Sequence, residues 1–228
     1  MNSLESTRTQ VFAVFPGQGS QHVGMAKDLY DNFSLVKDVF EEASEAIHID
    51  LKKLCFDGTE ADLLLTENTQ PCLLVSSIAA FKVAQNETGF RPDAVAGHSL
   101  GEYSALVAAG VIAFKDAVPL VRFRAQAMQS AVPVGQGGMA AILGLSDADV
   151  IAACAEAAAS TSSVVEAVNF NAPAQVVIAG SKAAVERACE LAKEKGAKRA
   201  LPLPVSAPFH SSLLKPASDQ LREYLANV

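Results

Sequence analysis

Apolar residues in this chain come in short runs and in helical rhythm, and the way the two alternate predicts an α/β architecture. Residues 11–15, Val-Phe-Ala-Val-Phe, form an apolar run of strand length that reads as a short buried strand. It leads into Pro16-Gly17-Gln18-Gly19-Ser20-Gln21, a glycine-rich turn at a strand end, where α/β proteins place their chemistry. Helical spacing follows over residues 25–30 and 35–46, and again over 70–85, with Pro71 in a first-turn position that tolerates proline. A second short strand, 94–96, runs into Gly97-His98-Ser99-Leu100-Gly101. A helix over 100–109 is stopped by Gly110, and another over 115–131 ends before Pro133.

Beyond Pro133 the rhythm changes. Strands are expected at 139–143, 164–169, 175–179 and 199–205, with helices at 147–159 and 183–195. That β-α-β-β-α-β order is the ferredoxin-like signature. The expected fold is therefore a hydrolase-like parallel-sheet core carrying an inserted ferredoxin-like subdomain. The insert is residues 134–205, and the large subdomain is discontinuous, 1–133 and 206–228, ending in an amphipathic helix at 217–226.

Composition narrows the class without naming the chemistry. Half of the 228 residues are apolar and 19% are charged, which suits one well-filled globule. A net charge of −7 argues against nucleic acid as the main partner. The four cysteines (Cys55, Cys72, Cys154, Cys189) have no metal-ligand spacing and read as reduced thiols. The first ten residues are polar and lack the apolar run of a secretory leader. The apolar run 72–81 is too short to span a bilayer. These features predict a cytoplasmic protein with no membrane and no metal.

Three residues stand out chemically. Ser99 sits in G-x-S-x-G between a strand and a helix, the context of a nucleophile elbow. Ser99-x-x-Glu102 is equally a capping box, which would make Ser99 an ordinary helix cap. Gly101 favours the elbow, since a glycine inside a helix costs about 0.5–1 kcal/mol relative to alanine and a cap does not need it. A serine nucleophile needs a base within hydrogen-bond reach. Of the four histidines, His98 adjoins the serine, His22 reads as a helix start and His48 as a solvated helix end. His210, in Ala-Pro-Phe-His-Ser-Ser, is left as the base by elimination. Arg124 falls within the apolar stripe of Ala117, Leu120, Val121 and Met128, whereas Arg122, Gln126 and Gln129 lie on a solvated face. A core-facing guanidinium stays charged, so it needs an internal acid or a substrate carboxylate.

Several motifs appear together and in order: FPGQGSQ (15–21), GHSLGE (97–102), Arg124 followed by MQSAVP (128–133), NFNAPAQVVIAG (169–180) and PVSAPFH (204–210). In this combination the chain, from residue 11 onward, resembles the malonyl-CoA:acyl carrier protein transacylase family of fatty-acid synthesis. The resemblance implies Ser99 as nucleophile, His210 as acid/base, and the backbone N–H groups of Gln18 and Leu100 as oxyanion hole. It implies that Arg124 grips the malonyl carboxylate, that Met128 borders the acyl pocket, and that Asn169, Asn171, Gln175 and Arg199 line a coenzyme A channel. In related polyketide acyltransferases a phenylalanine before the histidine accompanies malonyl, so Phe209 is expected to disfavour a 2-methyl group. The implied partners are malonyl-CoA and holo acyl carrier protein, with the coenzyme A thioester as substrate and no cofactor. Family members continue past Val228, and the resemblance implies that their remainder completes the large subdomain. Two rival readings are a polyketide synthase acyltransferase domain, which would share every motif, and a serine esterase or thioesterase-like hydrolase. The hydrolase should carry an HGGG-type loop and an acid between serine and histidine, and neither is evident.

Overall fold

A computed structural model of the chain describes residues 9–133, 135–205 and 207–228. The expected subdomain boundaries at Val134 and Ser206 lie outside the described residues. Contact density divides the chain into two compact units, one ending at Arg122 and the other spanning 123–227.

The first unit is built around a parallel strand pair, β1 (Phe12–Phe15) and β2 (Ala94–Gly97), in the register Phe12↔Ala94 to Phe15↔Gly97. Between these strands come α1 (Lys27–Asn32), α2 (Ser34–Ile47), α3 (Leu51–Asp57), α4 (Glu60–Leu64) and α5 (Thr66–Thr88). After β2 come α6 (Gly101–Ala108) and the start of α7 (Phe114–Ala131). Helix α2 buries Val36, Val39, Phe40 and Ala43, the spacing of one helical face. Helix α5 is buried on most sides and carries much of the core, including Leu74 and Ile78.

Three expectations are corrected here. β1 is not a buried strand: Phe12 is 60% and Val14 74% exposed, and only Phe15 is buried. Among the described strands β1 pairs with β2 alone, so its outward residues have little to cover them. The short helices α3 and α4 fall in a stretch with no expected element. The third helix begins at Thr66 rather than beside Pro71, which sits inside it. A proline one turn into a helix forfeits a single backbone bond, and Thr69 Oγ1 adds bonds to the Leu63 and Leu65 carbonyls in that first turn.

The second unit holds β3 (Gly137–Leu143), α8 (Asp147–Thr161), β4 (Val165–Ala172), β5 (Gln175–Ser181), α9 (Lys182–Glu194) and β6 (Arg199–Pro202). The strands form one antiparallel sheet in the order β4-β5-β3-β6, the ferredoxin-like arrangement. One face takes α8 and α9 through Val150, Ala153, Ala157, Ala184 and Ala188 against Ile142, Val176 and Ile178. The opposite face, with Met139, Val177 and Ala179, packs on Met128, Phe209 and Leu214. A 3₁₀ turn (Ser212–Leu214) and α10 (Lys215–Leu225) follow the sheet. The expected strand at 199–205 is shorter, ending at Pro202, where its ladder with β3 stops. No described helix is long and apolar enough to cross a membrane.

Candidate active site

In the first unit, Ser99 occupies the turn from β2 into α6 and has φ 52°, a left-handed conformation that a non-glycine residue adopts only when its surroundings impose it. The imposing contacts are backbone to backbone. A Cβ on Gly97 would overlap Gly101, and a Cβ on Gly101 would overlap the Phe15 carbonyl at the end of β1. The two glycines therefore let the bend close against the neighbouring strand. Helix α6 has Leu100, not Ser99, at its N-cap position. Leu100 is fully buried.

The Pro16–Ser20 loop lies next to this bend, since the His98 N–H donates to the Phe15 carbonyl at 3.1 Å. Its Gln18 side chain is tied to α5: Thr66 Oγ1 and Gln70 Nε2 donate to Gln18 Oε1 at 3.1 and 3.3 Å. Thr66 and Gln70 are buried, so the anchor is rigid. Ser20 Oγ donates to the Gly17 carbonyl at 2.8 Å, and the Gly19 N–H donates to Gln21 Oε1 at 2.7 Å. His22 lies 3.3 Å from the Ser20 carbonyl through Nδ1 in this loop, ahead of α1, and so does not start a helix. His48 caps the C-terminus of α2 with φ 54°.

In the second unit, a cavity of about 250 Å³ brings together Arg124, Met128 and His210, with Ser211, Leu214 and Leu221 among its other walls. Arg124 is 7% exposed, as its place in the apolar stripe predicted, while Gln126 is exposed. His210 sits at φ 67° in a tight turn before the 3₁₀ segment. Around it the Phe209 N–H bonds the Ala207 carbonyl at 3.0 Å, and the buried Ser211 donates Oγ to the Pro208 carbonyl at 2.8 Å. Phe209 is buried in the same cluster as Met128.

The sheet register arranges the other predicted residues. Ala172, Gln175, Leu143 and Arg199 stand in one row across all four strands. Asn169 pairs with Val177, and paired residues in antiparallel strands share a face. Asn169, Gln175 and Arg199 therefore project on the face that packs against Met128 and Phe209, with β4 and β6 at opposite edges. Asn171 lies in a register shift between Phe170 and Ala172. One contact escaped the sequence reading: Glu166, on β4, accepts the Ser212 N–H at 2.6 Å. A glutamate in the apolar run Val-Val-Glu-Ala-Val is the only sequence signal of it.

All four cysteines are free thiols. Cys72 is buried and held well above the ordinary thiol range by its hydrogen bond to Cys55 and by burial, and burial pushes Cys154 up to about 12. No cluster among the described residues could hold a metal ion.

The acyl transferase domain model matches residues 11–228. The chain is 55% identical over 220 residues to the malonyl CoA-acyl carrier protein transacylase of Escherichia coli K12, covering 96% of this chain and 71% of that protein. It superposes on an acyl-carrier-protein S-malonyltransferase from Burkholderia pseudomallei with a TM-score of 0.92 at 65% identity, over 96% of this chain and 71% of that one. A malonyl-transacylase solved with a type II polyketide synthase acyl-carrier protein gives a TM-score of 0.93 at 50% identity, again over 96% and 71%. The chain belongs to the acyl transferase family and, within it, to the malonyl CoA-acyl carrier protein transacylases.

Proposed function

We propose that this protein transfers a malonyl group from malonyl-CoA to the phosphopantetheine thiol of acyl carrier protein, through an ester on Ser99. The observation that carries the reading is the cavity in which a buried arginine meets a histidine, Arg124 with His210, beside the apolar Met128. A guanidinium in the cavity wall suits a carboxylate-tipped acyl group, which it can hold through two parallel hydrogen bonds, and it offers an uncharged group no such pairing. The strained bend at Ser99 supports its role as nucleophile. The relatives named above carry this activity in their names.

Ser99 Oγ attacks the thioester carbonyl while His210 takes its proton. The negative oxygen that forms is held by the N–H groups of Gln18 and Leu100, each worth about 3–4 kcal/mol in such sites. The carbon–sulfur bond breaks, His210 returns the proton to the coenzyme A sulfur, and malonyl remains as the Ser99 ester. The carrier thiol then gives its proton to His210 and attacks the ester, and Ser99 leaves with that proton. Arg124 holds the malonyl carboxylate throughout. Asn169, Asn171, Gln175 and Arg199 line the coenzyme channel, Met128 borders the acyl pocket, and Phe209 crowds the C2 position. Thioester, ester and thiol exchange at one oxidation level, so the reaction calls for no metal or redox cofactor. We assign residues 134–205 as the insert and 1–133 with 206–228 as the catalytic subdomain. Four free thiols support a cytoplasmic location.

Mass spectrometry after mixing with malonyl-CoA tests the proposal. A malonyl adduct on Ser99 that transfers to holo carrier protein supports it. Free malonate released without transfer would instead mark a hydrolase.

A further inference from the structure

A charged group from another strand reaches the turn that carries His210. Short-range bonds define the turn: Phe209 to Ala207, Ser211 to Pro208 through both N–H and Oγ, and Leu214 to Ser211. The turn is packed on the sheet through Phe209 and Leu214, and Glu166 adds a polar attachment. Its carboxylate accepts the Ser212 N–H at 2.6 Å, and it sits 46 residues away in sequence on β4. The bond is charge-assisted and points at the first N–H of the 3₁₀ turn, a backbone donor that such a turn leaves unsatisfied. Glu166 pairs with Ala179, so it projects on the sheet face that carries Asn169 and packs on Phe209. A left-handed φ at His210 makes the anchor more consequential, because a non-glycine residue there relaxes unless its neighbours hold it.

We propose that Glu166 is a positioning residue: by accepting the Ser212 N–H it fixes the turn that presents the His210 imidazole to the cavity, in register with the strand bearing Asn169. The assignment rests on the reading of His210 as the acid/base. It gives Glu166 no contact with substrate.

Steady-state malonyl transfer to holo carrier protein, with thermal unfolding measured alongside, tests it in five variants. Glu166→Ala should lower kcat about tenfold to a hundredfold, the scale on which small misplacements of a catalytic group act, with KM for malonyl-CoA within about twofold. Glu166→Gln keeps an acceptor oxygen and should recover kcat to within about threefold of the parent. Ser212→Pro removes the donor instead. Ser211 is already extended (φ −81°, ψ 163°), as a residue before proline must be, and proline is tolerated at a first helical position. It should match Glu166→Ala, and combining the two should add no further loss. Should Glu166→Ala fail to fold, Ser212→Pro and Glu166→Gln still decide the matter. An unchanged kcat in Ser212→Pro, or a Glu166→Gln as slow as Glu166→Ala, overturns the inference. His210→Ala separates the two layers: if that variant transfers malonyl at the parent rate, the acid/base reading fails, whatever Glu166 does.

Discussion

Gly101 and Phe15 touch so closely that no side chain fits between them: a Cβ on Gly101 would run into the Phe15 carbonyl oxygen. This contact joins the start of α6 to the end of β1 and sets how tightly the chain bends at Ser99. Gly101→Ala must push the helix off the strand, since backbone cannot rotate away as a side chain can. The expected cost is about 1–3 kcal/mol, the range for inserting a methyl into a filled site, read by denaturant unfolding. Acyl-enzyme formation should fall by more than the stability loss alone explains, because the Ser99 backbone moves with the helix. A variant with parental stability and acylation would show that the bend does not depend on this contact.

The loop before it makes a second prediction. Gln18 can offer its N–H to an oxyanion only while the loop is fixed, and Gln70 and Thr66 fix it through the Gln18 side chain. Gln70→Leu keeps the volume and removes the donor. Leaving a polar partner short of a bond in a buried site costs about 1–3 kcal/mol. kcat should fall about tenfold, a fraction of what loss of a whole oxyanion donor costs, with KM for malonyl-CoA little changed. A rise in KM at constant kcat would place the loop in substrate binding instead.

Much of this was legible in the sequence because it was local. The bend at Ser99 was signalled by its two flanking glycines, and the burial of Arg124 by its place in a helical stripe. The βαββαβ order followed from alternating rhythms. What escaped depended on distance along the chain or on shortness. Glu166 meets Ser212 across 46 residues, and no periodicity encodes such a pair. Helices α3 and α4, of 7 and 5 residues, are too short to show a repeating face. The exposure of Phe12 and Val14 is a property of which strands lie beside β1, and an apolar run cannot reveal its neighbours.

The thiols should react in a fixed order. Cys55 and Cys72 are fully buried, and Cys72 is raised further by its bond to Cys55. Cys154 is pushed up to about 12, mainly by burial, whereas Cys189 is only half-buried and less shielded. A raised thiol pKa leaves less thiolate at neutral pH, and thiolate is the reactive form. Iodoacetamide at pH 8 should label Cys189 first, more slowly than a free thiol, with the other three protected until the protein unfolds. Peptide mass mapping over time reads the order, and early labelling of Cys72 would contradict the packing of α3 on α5.

Phe209 is buried beside Met128; on the proposed reading that it crowds C2, it cannot swing out to admit a larger acyl group without opening the cluster. A 2-methyl branch therefore has to be paid for in strain, and methylmalonyl-CoA should be used with a kcat/KM at least about tenfold below malonyl-CoA, equivalent to the 1–3 kcal/mol that one methyl commands in a tight pocket. Competition between the two thioesters in one vessel gives the ratio directly. Equal use would remove Phe209 from any part in selection.

Arg124 makes the most discriminating prediction because two effects of one substitution run in opposite directions. The guanidinium is 7% exposed and lines the cavity with His210. On the proposed reading, a bound malonyl carboxylate forms a bidentate pair with it, whereas a bound acetyl group presents it only a methyl. Arg124→Ala should therefore lose malonyl transfer by about a hundredfold or more, the scale of 3–5 kcal/mol for breaking a buried ion pair. Uncharged acyl-CoA thioesters should be turned over as well as by the parent or better, since they make no use of the cation that is lost. Measuring both substrates in both proteins isolates the electrostatic contribution from any loss of folding, which would depress the two rates together. Parallel losses for malonyl and acetyl would mean that Arg124 supports the structure of helix α7 and does not read the carboxylate.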